Sequence, residues 1–351
     1  MQASMQPPQP PSQPPRPHVH PHARTDDDPD APPRLGIVGG GSVGRTLARA
    51  FAAAGWPVVA GASRSESGRA ALAAAVPGML LFPEAAAVLD EVEICILTVP
   101  DDAIAAVAGG LRLYGGQALV HTSGLLESTV LEPAMAAGTL KGSFHPLVAF
   151  AHPDRALAAL PGATIAVEGD APLVPLLGQL AEAIGGQPVS LPPGAKPAYH
   201  AAAVLAAGGL IGLYEAIVAL GRGAGLDEAA ALAVYAPLSR QALADAQALG
   251  VAAALTGPIV RGDVGTLRAH LEALRSRAPA ALDVYRAVAA QELVLAVRRG
   301  ALDDRRAAAL ATLLGGRLQG AGDSVAWTDA EQPRGHPGDA AADLLPPPDG
   351  P

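Results

Sequence analysis

The sequence predicts an α/β domain built on a parallel sheet, followed by an all-α domain. Three observations carry that reading. Short apolar runs alternate with helical stretches through the first half, as parallel strands joined by crossover helices require. A glycine-rich turn links the first such run to the first helix. After Pro192 the strand pattern gives way to long Ala- and Leu-rich stretches with helical spacing.

The apolar runs at 34–38, 57–61, 93–99, 118–121, 139–144 and 163–167 are the expected strands, and 42–54 is the first helix. In the second half, helices are expected at about 196–221, 227–249, 263–273, 279–299 and 303–318. A chain of 351 residues holds two domains at roughly 100–200 residues each, with tails to spare. The expected division is a disordered Pro-rich tail over 1–33, an α/β domain over 34–192, a helical domain over 193–322, and a second disordered tail over 323–351. The tails are rich in Pro, Gln, Gly and Asp and have little to bury. His18, His20 and His22 alternate in the first of them, but an unsupported segment does not orient metal ligands, and no metal is expected.

Half of the residues are hydrophobic and 3% are aromatic, so the core must be packed from Ala, Val and Leu. The chain contains no asparagine. A net charge of -9 argues against a nucleic-acid partner, which calls for a basic face. The one cysteine, Cys95, lies in an apolar run and reads as a small buried hydrophobe in a reducing, cytoplasmic setting. No apolar run reaches bilayer-spanning length without interruption by Gly, Pro or charge, so no membrane association is expected.

The segment Gly39-Gly40-Gly41-Ser42-Val43-Gly44 is a G-x-G-x-x-G that follows a strand and opens a helix. Gly39 permits the tight turn, Gly41 lets backbone approach a pyrophosphate, and Gly44 lets helix pack on strand. The helix start adds free amides and a positive dipole. At the end of the second strand stands Ser63-Arg64-Ser65 rather than an acidic residue. A guanidinium between hydroxyls suits a ribose 2′-phosphate and favours NADP(H), while the neighbouring Glu66 keeps NAD in play.

Ligands of such sheets bind beyond the carboxyl ends of the strands. Three ends carry suitable chemistry. In Thr98-Val99-Pro100-Asp101-Asp102, Val99 and Pro100 can flank a nicotinamide, and the carboxylates read as helix caps. His121-Thr122-Ser123-Gly124 offers hydroxyls and amides to a substrate. In Ser143-Phe144-His145-Pro146-Leu147 the proline holds His145 extended, so the backbone aims its ring. The competing reading of His121 and His145 is a buried, hydrogen-bonded structural histidine. Lys196, Tyr199 and His200 share one helix face at i, i+3 and i+4. When a C=O or C=N group is reduced, its heteroatom takes a proton, and a lysine or histidine placed there supplies it. An ordinary helix start is the alternative. The loop over 255–263 offers Thr256 and Arg261 as a clamp for a substrate carboxylate, unless Asp263 caps the next helix and pairs with Arg261. Gly208, Gly209 and Gly212 suggest close helix pairing, within the chain or in a homodimer.

Taken in order, the glycine turn, Val-Pro-Asp-Asp, His-Thr-Ser-Gly, Ser-Phe-His-Pro-Leu, Lys-Pro-Ala-Tyr-His-Ala-Ala and Leu-Thr-Gly-Pro-Ile-Val-Arg-Gly-Asp resemble the Rossmann-like plus DUF2520 family of predicted short dehydrogenases. The resemblance spans about 34–318. It implies a Rossmann NADP-binding domain, a helical domain like the C-terminal part of 6-phosphogluconate dehydrogenase, and kinship with ketopantoate reductase and pyrroline-5-carboxylate reductase. In the hydroxyacid branches of that superfamily, a lysine and an asparagine four residues later face the active site. Lys196 matches the lysine, and His200 replaces the asparagine. A further asparagine common in this family's helix is replaced within Ala207-Gly208-Gly209.

The function expected is NADP-dependent reduction of a small 2-oxo acid of the ketopantoate kind. Lys196 is the general acid in that reading, with His200 and Ser123 orienting the carbonyl and Arg261 holding a carboxylate. An imino-acid reductase of the pyrroline-5-carboxylate type and a non-catalytic NADP-binding sensor or scaffold are the alternatives.

Overall fold

The computed structural model describes residues 31–320 and 324–329. The His18, His20 and His22 series and most of both expected tails lie outside the described residues. Two compact units divide between Ala207 and Gly208.

The first unit runs β1 (Leu35–Val38), α1 (Ser42–Ala53), β2 (Val58–Ala62), α2 (Glu66–Ala75), β3 (Leu80–Phe82), β4 (Ile94–Leu97) and α3 (Asp101–Gly109). It continues through β5 (Ala118–His121), β6 (Leu140–Pro146), α4 (Pro153–Ala159), β7 (Thr164–Gly169), α5 (Val174–Ala183), β8 (Gln187–Ser190) and α6 (Lys196–Val204). One eight-stranded sheet has the order β3-β2-β1-β4-β5-β6-β7-β8. Neighbours are parallel except at β6–β7, where the chain reverses. The winding changes direction between β1 and β4, which opens a crevice at the carboxyl ends of those strands.

β1 and β4 are buried at every residue because helices cover both faces of the sheet. Their alternate side chains go to opposite layers. Ile94 and Ile96 join Leu47 and Phe51 of α1, while Cys95 and Leu97 join Ile104 and Leu131. The Phe51 ring lies 5.7 Å from that of Phe144, tying α1 to β6. Burial pushes the Cys95 thiol up to about 12, so it remains an unreactive thiol in the core.

The second unit holds α7 (Leu210–Gly223), α8 (Glu228–Leu249), α9 (Val251–Ala254), α10 (Val264–Arg277), α11 (Leu282–Arg298) and α12 (Asp304–Leu314) around Leu267, Leu271, Leu293 and Leu310. It closes with an antiparallel pair, β9 (Gly316–Gln319) and β10 (Ala326–Asp329).

The strand pattern does not end at Pro192, and residues 324–329 are not a disordered tail. Left-handed Gly315 stops α12 at Leu314, short of 318, and Trp327 of β10 then pairs with Leu318 of β9 against the helical core. The units divide at 207/208, and α6 is fastened to the sheet through Lys196, as described below. The helical run Lys196–Gly223 is long and apolar enough to cross a membrane by length and composition, since it passes through Gly208, Gly209 and Gly212 instead of being interrupted there. Finally, a side chain at Gly208 or Gly212 would meet nothing within 4 Å, so neither glycine serves close helix pairing within the chain.

Leu47 is fully buried between α1 and the sheet. Leu47→Ala is expected to lower stability by about 2–5 kcal/mol, read as a fall in the urea midpoint at unchanged m-value.

Candidate active site

A groove of about 930 Å³ runs along the carboxyl ends of β1, β2 and β4. Its floor is the glycine turn. Gly39 has φ +122, a conformation that favours glycine, and a Cβ there would stand 2.6 Å from the Thr98 carbonyl oxygen. Thr98 Oγ1 donates to the carbonyls of Val38 and Gly39, both at 3.0 Å, and so wedges the turn in place. Gly41 faces open space, and no side chain caps the first amides of α1. The Ser42 hydroxyl is buried beside them without a partner. This set of unused donors at a helix start fits the pyrophosphate of a dinucleotide. Val43 packs into the core and stays out of the groove.

Ser63, Arg64 and Ser65 line the groove beyond β2. Arg64 is exposed, and its guanidinium makes no hydrogen bond or ion pair among the described residues. Its loop is held from below by Arg69, which donates to the carbonyls of Ser63 and Arg64 at 2.8 and 3.0 Å. Ser65 caps α2 by accepting the Gly68 amide, which leaves its hydroxyl hydrogen for a ligand. Val99 and Pro100 close the groove at the end of β4. These residues fit NADP(H) as the expected cofactor.

At the next strand ends, an accounting of donors and acceptors separates committed groups from available ones. His121 is fully buried. Its Nδ1 accepts the Ser123 amide at 3.1 Å, so Nε2 carries the hydrogen and donates to the Glu127 carbonyl at 3.2 Å. Ser123 Oγ donates to Asp101 at 2.7 Å and accepts the amides of Leu125 and Leu126. Thr122 Oγ1 donates to the Leu97 carbonyl. Lys196 is 3% exposed, and its ammonium donates to the Leu126 carbonyl at 2.5 Å, to Ser143 Oγ at 2.6 Å and to Glu168 at 3.1 Å. All three ammonium hydrogens are therefore used. Without a ligand, the side-chain donors of Lys196, Ser123, His121 and Thr122, expected at the substrate site, are thus taken up by the protein itself.

Burial is the largest influence on both partners of the Lys196–Glu168 pair. It draws the ammonium below the usual lysine range, against the pull of Glu168. It also works to raise the Glu168 carboxyl, which the Ser128 amide, Lys196 and the Ser128 hydroxyl nevertheless hold below the usual range. Glu168 escaped the sequence reading because nothing local marks it. It sits opposite Ser143 in the antiparallel β6–β7 register, a pairing visible only once the reversal is known.

Three groups remain open. Nδ1 of His145, Nδ1 of His200 and the Tyr199 hydroxyl are buried and have no hydrogen-bond partner. The His145 ring stands 5.7 Å from that of His200 and 5.9 Å from that of Tyr199, edge-on to both. Gly124 lies directly beneath: a Cβ there would come within 2.5 Å of His200 Nδ1 and 2.6 Å of His145 Nε2. Burial first, then His200 and Lys196, push His145 down to about 4, against a smaller upward pull from Asp101. Burial raises the Tyr199 phenol.

In the second unit, Thr256 and Arg261 are both exposed in the loop before α10. Asp263 caps α10 through Thr266, and Arg261 helps to hold its carboxyl below the usual range. Among the described residues no group of three or more His, Cys, Asp and Glu side chains is placed to hold a metal ion.

A sheet of order 3-2-1-4-5-6 with a glycine turn at its switch point has the topology of a Rossmann fold, here extended by β7 and β8 and followed by a helical unit. Family profiles match in two stretches, a Rossmann-like domain over residues 21–146 and the domain of unknown function DUF2520 over 163–292. No curated protein matches the sequence. A Bacteroides fragilis protein designated an NADP oxidoreductase is similar in structure, with 21% identity over 75% of this chain and 98% of its own, at a TM-score of 0.64. An imine reductase from a Pseudomonas species is 19% identical over 79% of this chain and 98% of its own, with a TM-score of 0.57. A reductive aminase from Aspergillus terreus, in complex with NADPH and ethyl-5-oxohexanoate, is 20% identical over 73% and 94%, with a TM-score of 0.54. At these identities the likeness is one of fold.

Two predictions rest on the committed groups. Lys196→Met leaves Glu168 and Ser143 without their partner, and is expected to cost about 3–5 kcal/mol in denaturant unfolding. Burial, and secondarily Lys196, push His121 down from 6.5 to about 4, so the unfolded chain takes up a proton that the folded chain refuses. Its contribution is complete above pH 6.5 and is lost as pH falls toward 4, by about 3 kcal/mol in total. His121→Gln should reduce the slope of the stability profile over that window, leaving the share that His145 contributes, in unfolding curves taken at stepped pH.

Proposed function

We propose that this chain is an NADPH-dependent reductase of a small carbonyl or imine compound. One observation carries the reading: a single unit holds a glycine-turn groove and three buried polar atoms with no protein partner, on His145, Tyr199 and His200, the two joined through Asp101, which follows the groove wall Pro100 and accepts from Ser123 beside Gly124. The designations of the structural neighbours, an NADP oxidoreductase, an imine reductase and a reductive aminase, support the same class of chemistry.

In this reading the amides from Gly39 to Gly44 hold the pyrophosphate, and Arg64 with Ser63 and Ser65 takes the 2′-phosphate. Val99 and Pro100 flank the nicotinamide. Bound NADPH supplies a hydride to the carbonyl or imine carbon. Negative charge then gathering on the oxygen or nitrogen calls for a proton at that atom, and the open histidine and tyrosine groups are the donors available for it. Burial keeps His145 neutral and Tyr199 protonated near pH 7, so both can present a hydrogen without adding positive charge. Lys196 acts at one remove, by seating the helix turn that bears Tyr199 and His200.

A 2-oxo acid of the ketopantoate kind is the substrate class placed first. An imine is the second reading. It is favoured by the commitment of Lys196 to Glu168, which takes the ammonium next to the open histidines out of play for a substrate anion. A homodimer is the assembly proposed, in keeping with apolar residues such as Ile211 and Leu238 that stand exposed on α7 and α8.

The test is NADPH consumption, followed at the nicotinamide absorbance, across a panel of 2-oxo acids and cyclic imines. Turnover of one class and not the other chooses between the readings, and tight NADPH binding with no turnover would favour a sensor. Arg64→Asp is expected to weaken NADPH binding about 10- to 100-fold while leaving NADH nearly unchanged. Equal losses for the two nucleotides would refute the phosphate pocket.

A further inference from the structure

Asp101 stands where the nucleotide groove gives way to the open histidines. It opens α3 directly after Pro100, a wall of the groove. Its carboxylate accepts the hydroxyl hydrogen of Ser123 on the neighbouring strand end. Ser123 Oγ in turn accepts the amides of Leu125 and Leu126, at 3.1 and 3.0 Å. With one donated and two accepted bonds, that hydroxyl has no capacity left for a substrate. What the three bonds do is curl residues 123–126 into a tight turn, and the buried backbone of that turn at Gly124 is the surface on which the rings of His145 and His200 rest. A second fixing point follows at once, since the carbonyl of Leu126 takes a hydrogen from Lys196 at the start of α6. The same short loop therefore touches the residue after the groove wall, the seat of both imidazoles, and the helix that carries His200.

We propose that Asp101 and Ser123 are positioning residues that hold Gly124 at the height at which His145 and His200 are aligned with the nucleotide groove. This rests on the reductase reading above. A shift of the loop would move both rings together relative to the groove, because a Cβ-sized displacement at Gly124 already exceeds the space beneath them. The charge of Asp101 also reaches His145, opposing the influence of burial, His200 and Lys196, and Tyr199 completes the groups around that ring.

The test uses the full chain with Ser123→Ala, Ser123→Thr and Asp101→Asn. Imidazole resonances, assigned with His→Gln variants, are followed by proton NMR against pH without substrate. NADPH affinity and steady-state rates are then measured with whichever panel compound the wild type reduces. Ser123→Ala should displace the His145 and His200 resonances and lower kcat about 10- to 100-fold, with NADPH affinity changed by less than about twofold. Ser123→Thr keeps the hydroxyl and should recover most of the loss, while Asp101→Asn should move the His145 titration to lower pH. Unmoved imidazole resonances in Ser123→Ala, or a threonine variant no better than alanine, would overturn the proposal. Failure of the wild type on every panel compound would instead remove the reductase reading, and the imidazole spectra would still decide the positioning role.

Discussion

The Lys196 ammonium meets acceptors from three separate pieces of chain: the loop carbonyl of Leu126, Ser143 on β6 and Glu168 on β7. A charge with so little exposure persists only because each of its hydrogens has a partner and a carboxylate balances it. That contact fastens the start of α6 to the sheet, and with it the next turn of helix, on which Tyr199 and His200 stand. It also accounts for the placement of α6 with the sheet unit rather than with the helices that follow.

Around this joint the strand ends divide by hydrogen-bond capacity. His121, Thr122 and Ser123 spend their side-chain polar atoms on backbone or on one another, and they make a rigid edge. His145, Tyr199 and His200 keep unspent polar atoms in a desolvated setting, where an unmet donor or acceptor is costly unless a ligand meets it. The groove shows the same contrast. Thr98 is consumed in bracing the glycine turn, whereas the first α1 amides are uncapped by any side chain and the Ser42 hydroxyl has no partner.

Much of the fold could be read from the chain. The central strands are continuous apolar runs, and the glycine turn lies where a strand meets a helix. Edge strands β3 and β8 were harder to see, being only three and four residues long, with no fully buried residue in either to set a pattern. The β9–β10 pair was missed for a similar reason, since its apolar contacts rest chiefly on Leu318 and Trp327. For the candidate site, the residue types were legible but their roles were not. Spacing placed Lys196, Tyr199 and His200 on one helix face, yet nothing local announced that Glu168, 28 positions before Lys196, would claim the ammonium. Gly124 carried a signal only as part of His-Thr-Ser-Gly, and its meaning depends on two rings supplied from β6 and α6.

The five-residue π stretch Leu205–Gly209 interrupts the run that begins at Lys196. A residue added to a helix turns everything after it by about 100° about the axis. Counting in threes and fours from His200 therefore loses its phase before Leu210. A residue at the Ala207-Gly208-Gly209 stretch cannot be matched by periodicity alone to a side-chain direction in a relative whose helix is regular there. Comparison of the two helices has to proceed turn by turn in space, with the widened loop of backbone treated as a break in the ruler.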